Sequence, residues 1–130
     1  MYVLNFQKQF AAAVESGQKR QTIRARRKNG QGPKPGDHLR LYTGMRTKQC
    51  RKLKDVECIA VEQIRITEIV VDNGHDQEVG IVVIAKGKQL TIPEATALAK
   101  EDGFYTPDDF VNFFADTHGL PFEGLLIRWH

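Results

Sequence analysis

The sequence predicts an α+β domain, mainly β, whose strands roll into a small closed or nearly closed barrel with helices packed outside. Three observations lead there. Short β-branched segments that alternate apolar with polar residues recur along the chain, and a period of two marks strands with one buried face. Helical spacing is confined to the start and to a stretch near the end. At 130 residues the chain is one domain, large enough for a hydrophobic core and too small for two comfortable ones. Closing the sheet on itself would also protect its strand edges.

Taken in order, Tyr2–Phe6 is apolar and β-prone and suits a first strand. Residues 7–16 follow as a helix, with Phe10, Ala13 and Val14 on one face, and Gly17 allows a left-handed cap. Thr22, Ile23, Arg24 and Arg26 belong to a short strand, and residues 28–36, rich in Gly, Pro and Lys, to an exposed loop. Pro35-Gly36-Asp37 is a turn before a strand in which Leu39, Leu41 and Thr43 alternate with His38, Arg40 and Tyr42. Residues 44–54 form a second basic loop, and 56–71 one bent strand or two. A polar turn over 72–76 leads to a buried strand over 79–85, and a hairpin-like turn over 85–88 leads to Leu90–Ile92. Pro93 opens a helix that Gly103 ends. Thr106 caps another with Pro107 at its first position, carrying Phe110, Phe113 and Phe114 to Gly119. Residues 122–129 close the chain as an apolar strand.

Charge is segregated along this layout. Residues 1–54 hold 14 Lys and Arg against Glu15 and Asp37, and residues 55–130 hold 5 basic groups against 14 acidic ones. Segregation of that size points to a basic surface directed at a polyanion or a phosphate-bearing ligand, although a solvated basic loop would give the same count. No apolar run is long enough for a membrane span, and the N-terminus lacks a basic-then-apolar signal pattern, so an intracellular, cytoplasmic protein is expected. Cys50 and Cys58 form no zinc-type pair and are expected to stay reduced. His38, His75, His118 and His130 are scattered, and no GxGxxG, P-loop or serine-elbow pattern occurs, so neither metal nor cofactor is expected. A monomer is the default expectation.

The stretch Gly17-Gln-Lys19-Arg20-Gln-Thr22-Ile-Arg24 is the most informative part of the chain. It places an amine, a hydroxyl and a guanidinium just after a helix, and the alternation Thr22, Arg24, Arg26 puts those side chains on one face of an extended segment. Such a face can bind an anion, and Lys19 beside Thr22 can also do chemistry. Spacing alone equally suits a solvated turn lysine and a β-branched strand residue.

Four segments in order, Gly17-x-Lys19-x-x-Thr22-Ile-Arg24, Lys34-Pro-Gly-Asp37, Asp102-Gly-Phe104 with its aromatic helix, and the final strand around Leu125–Trp129, resemble an ASCH domain of the PUA-like superfamily over nearly the whole chain. The segment Leu41-Tyr-Thr-Gly-Met-Arg-Thr-Lys48 also resembles stand-alone bacterial and phage ASCH proteins. The resemblance implies a PUA-like barrel of about six strands, a cleft between barrel and helices, and RNA or a nucleotide as partner. One branch of small bacterial members hydrolyses the amide of N4-acetylcytidine with a lysine, a threonine and a glutamate, and another has been linked to RNA cleavage. By motif position Lys19 and Thr22 match the first two, and Asp102 matches the carboxylate, one methylene shorter, with Glu101 turned elsewhere on the helix end.

In that role Lys19 is the base, Thr22 the nucleophile or the group orienting water, and Asp102 the acid/base partner. Arg24 is the candidate for a phosphate or the oxyanion. Arg20, Arg24 and Arg26 supply positive charge that would help Lys19 lose its proton. For RNA, Arg26, Arg27, Lys28 and Lys34 in the first loop and Arg46, Lys48, Arg51 and Lys52 in the second would track the backbone. Tyr42 and Tyr105 are the candidates for stacking on a base, ahead of Phe104, while Phe110, Phe113, Phe114 and Trp129 are assigned to the core. Three readings stay open: amidohydrolase, non-catalytic RNA-binding module, and metal-independent ribonuclease.

Overall fold

A computed structural model describes residues 2–25, 32–72, 74, 75 and 77–130. It is an α+β arrangement, mainly strand, in the order β1 (Tyr2–Phe6), α1 (Lys8–Ser16), β2 (Gln21–Ala25), β3 (His38–Thr43), β4 (Arg51–Asp72), β5 (Gln77–Ala85), β6 (Lys88–Gln89), α2 (Ile92–Glu101), α3 (Pro107–His118) and β7 (Phe122–Trp129). β1 forms where its β-prone residues place it and β3 as its alternation predicts: Leu4 and Phe6 of β1 and Leu39 and Leu41 of β3 are buried, with exposed residues between them. Gly17 ends α1 in the left-handed conformation at φ 82°. Pro93 and Pro107 lie in the first turns of α2 and α3, with Thr91 and Thr106 as caps, and Thr91 forms a full capping box with Glu94.

The sheet corrects the expectation of a closed barrel of about six strands. Among the described residues it has seven strands and does not close. β1 pairs with β3 in parallel and all the other ladders are antiparallel. The physical reason lies in β4, a single strand rather than two. Its first residues, 51–57, ladder with β3, while 58–66 ladder with β7 and 64–72 with β5. Bulges at Leu41/Tyr42 and Cys58/Ala60 interrupt these ladders, and bulges bend a sheet. One path therefore runs β1–β3–β4–β7–β2, and its two ends are joined by a side chain instead of a ladder: Arg24 Nη2 of β2 donates to the Asn5 carbonyl of β1 at 2.7 Å.

Two element boundaries and one burial pattern also differ. Arg51 and Lys52, expected in the second basic loop, begin β4, because Leu53 and Val56 are buried and carry the strand beyond the Gly44–Cys50 turn. The segment over 79–85 is half-buried rather than buried: Val83 and Ala85 face inward while Ile81 is 45% exposed, the pattern of a sheet covered on one face there. β6 stops at Gln89, since Thr91 caps α2 and Ile92 is its first residue. In the loop before β3, Lys34, Pro35 and Gly36 are exposed as expected and Pro33 is buried.

Two apolar clusters flank the sheet. One joins β1, α1, β3, the start of β4 and Trp129, with Phe6 and Trp129 edge to face. The other joins β2, β4, β5, α2, α3 and β7, and in it Phe110, Phe114 and Phe122 interlock. Phe104 packs against it in contact with Phe10, Phe110 and Phe113, as its assignment to the core requires. Between the β1–α1 segment, β2 and α3 the fold leaves a cleft.

Candidate active-site cleft

Lys19 leaves α1 just past its cap, held by its own N–H on the Ala13 carbonyl. Asp102 is the C-cap of α2, its N–H satisfied by Leu98 and Lys100. The fold brings these two residues, 83 positions apart, into contact. Lys19 Nζ lies 3.2 Å from Asp102 Oδ1 and donates to the Asp102 carbonyl as well, with the two residues only 3% and 4% exposed. A lysine at a helix C-terminus meets both an unpaired carbonyl and the negative end of the helix dipole. Its charge also stands 4.9 Å from the centroid of Phe10.

Burial sets the proton affinities. It pushes the Lys19 amine below its usual value, against the attraction of Asp102 and helped by Arg24. It pushes the Asp102 carboxyl above its usual value, against Lys19, Gln21 and Arg24. Burial thus draws the two proton affinities toward each other.

Thr22 and Arg24 line the same cleft, of about 220 Å³, together with Lys19 and Asp102. Arg24 Nε donates to Thr22 Oγ1 at 3.1 Å, and the guanidinium covers the Phe6 ring at 4.8 Å. The threonine oxygen therefore already accepts one charged donor, while its own proton meets no acceptor among the described residues. Phe10, Phe113, Phe114 and His118 build the opposite wall. Phe113 is thus partly buried cleft lining rather than pure core, and the His118 ring is stacked on Phe114 at 20° between planes.

The remaining predicted residues lie elsewhere. Arg20 donates to the Gly17 carbonyl and lines a different groove beside Trp129 and His130. Arg46 and Lys48 are exposed in the Gly44–Cys50 turn, Arg51 is paired with Glu15, and Lys52 with Asp55. That turn is tied to the cleft, for Met45 N–H donates to the side chain of Asn5, a cleft residue. Tyr42 is half-buried on β3 away from the cleft lining, and Tyr105 is 90% exposed on a groove behind Lys19. Glu101 is turned from the cleft toward Arg128, as expected. Arg26, Arg27 and Lys28 lie outside the described residues. Cys50 and Cys58 are both free thiols, and among the described residues no cluster of metal-ligating side chains occurs. No helix among them is long and apolar enough to cross a membrane.

Sequence reasoning missed Gln21, which is buried and hydrogen-bonded to Asp102, and the aromatic wall. The wall had a signal in the helical spacing of Phe113, Phe114, Thr117 and His118; Gln21, flanked by Arg20, had none. Compared with known proteins, the chain matches no family model, no curated protein and no solved structure.

Proposed function

We propose that the cleft binds a nucleoside, free or within RNA, and hydrolyses the amide of N4-acetylcytidine. The proposal includes kinship with the ASCH group of PUA-like domains, in a form whose sheet stays open, and a cytoplasmic site of action. The observation that carries it is the convergence of Lys19, Thr22, Arg24 and Asp102 on one cleft from two distant parts of the chain.

The geometry supports the following chemistry. Lys19, its own proton passed to the Asp102 carboxylate, takes the proton of Thr22 as the threonine oxygen attacks the acyl carbon, and Arg24 offers positive charge beside the oxygen that reacts. The C–N4 bond breaks as N4 receives a proton from the Lys19–Asp102 pair, releasing cytidine. Water then cleaves the acetyl ester of Thr22, giving acetate and the free hydroxyl. The aromatic wall suits a base, and a space near 220 Å³ suits a ligand smaller than those filling typical drug-sized sites of about 300 Å³ and more.

A second reading, a non-catalytic RNA-binding module, draws on the turn tied to Asn5, where Arg46 and Lys48 have no acidic partner among the described residues. Incubation with N4-acetylcytidine separates the two. Appearance of cytidine and acetate, abolished by Lys19→Ala, is the expected result. A purified wild type that releases neither refutes the hydrolase. Shortening of labelled RNA in chelator, absent from the Lys19→Ala protein, would instead favour a ribonuclease.

A further inference from the structure

Gln21 is 2% exposed, at the first position of β2 and opposite Arg128 of β7. Its Nε2 donates to Asp102 Oδ1 at 3.2 Å and to the Leu98 carbonyl at 3.4 Å. Its Oε1 is buried and has no hydrogen-bond partner among the described residues. An unmet buried acceptor is a standing cost to the fold. An apolar side chain would avoid it, as Ile23 does two residues on, where the strand again turns a buried side chain inward. What the glutamine supplies in return is a neutral donor on the oxygen that also meets Lys19.

We propose that Gln21 is a positioning residue for the Lys19–Asp102 pair: its amide holds the carboxylate ionised against Lys19 and leaves Oδ2 to exchange a proton with a bound ligand. Both fixed contacts are made to Oδ1, and Oδ2 accepts no hydrogen bond among the described residues. The charged and titratable groups around Asp102 are Lys19 from the α1–β2 connection, Arg24 from β2 and His118 across the cleft on α3, while the neighbouring Glu101 is turned to Arg128. An amide in this company biases the proton toward Lys19 without adding a charge. The consequence for catalysis rests on the amidohydrolase reading; the effect on the pair does not.

The test is a carbon-13 NMR titration of the Asp102 carboxyl in wild type, Gln21→Met and Gln21→Glu. Gln21→Met keeps the length and removes the donor, so the Asp102 midpoint should rise by about one unit or more. Gln21→Glu keeps the shape but adds a carboxyl competing for the same proton, so it should raise the midpoint too and decides the matter if the methionine variant does not fold. An unmoved midpoint in a folded variant overturns the assignment. With N4-acetylcytidine, kcat/KM of Gln21→Met should fall about tenfold or more, with the acid limb of its pH profile displaced as far as the NMR midpoint. A fall without that displacement marks a merely structural role and also overturns it. Absence of turnover in the wild type would condemn the amide reading and leave Gln21 to be judged on the midpoint alone.

Discussion

Lys19 and Asp102 show how burial shifts the proton affinities of an ion pair. Desolvation disfavours both charges, so the amine is moved down from 10.5 and the carboxyl up from 3.8. The signs for stability follow by linkage. Between 3.8 and Asp102's raised value the folded state binds more protons than the unfolded one, so stability falls as pH rises through that window. Between Lys19's lowered value and 10.5 the folded state binds fewer, so stability recovers as pH rises. Both shifts therefore cost stability, and the pair is kept against the interest of the fold. Removing one partner, as in Lys19→Met, strands the other and should cost about 3–5 kcal/mol. The double variant Lys19→Met/Asp102→Leu should be at least as stable as wild type and should lack both pH slopes. Urea unfolding across pH measures both, and a double variant weaker than either single would show that the pair serves the fold alone.

At the level of elements, the site depends on where α1 and α2 stop. Gly17 releases the chain so that Lys19 faces inward, and Gly103, at φ 99°, does the same after Asp102. A Cβ at Gly103 would lie 3.1 Å from Phe10 Cδ1 and 3.7 Å from Lys19 Cδ, in a backbone conformation that L residues rarely adopt. Gly103→Ala should therefore destabilise the protein by about 1 kcal/mol or more and displace Phe10 relative to Lys19. The paired readout is the melting temperature with the Lys19 Nζ NMR signal. An unchanged signal would show that the junction does not set the lysine.

At the scale of the molecule, the long strand β4 ties two ladders together, and Arg24 joins their free ends through Asn5. Asn5 also anchors the turn that carries Arg46 and Lys48. If single-stranded RNA reaches the cleft across this turn, Arg46→Gln/Lys48→Gln should weaken binding uniformly across sequences. The plot of log affinity against log salt should become shallower by about 1.4, at roughly 0.7 for each phosphate no longer neutralised. A slope equal to wild type would remove this turn from the RNA path. Lys54, Lys34 and Arg40 remain exposed cations without acidic partners among the described residues and provide the internal comparison.

Much of this was legible in the sequence because it is local chemistry. β-prone residues located β1 and alternation β3, prolines located the starts of α2 and α3, with Thr106 capping the latter, and glycines located the ends of α1 and α2. By itself the sequence thus determined an α+β chain, mainly strand, with a lysine and a threonine at the entrance to β2. Whether Asp102 meets Lys19, whether Gln21 faces the core or solvent, and whether Phe113 lines a cleft were decided only by the tertiary structure. So was the failure of the sheet to close, since one unbroken β4 shared by three ladders is not visible in any short window of residues. The reason is physical: caps and strand faces depend on residues within a few positions. A buried ion pair depends on desolvation by elements far apart in the chain, and its proton is placed by whatever those elements bring alongside it.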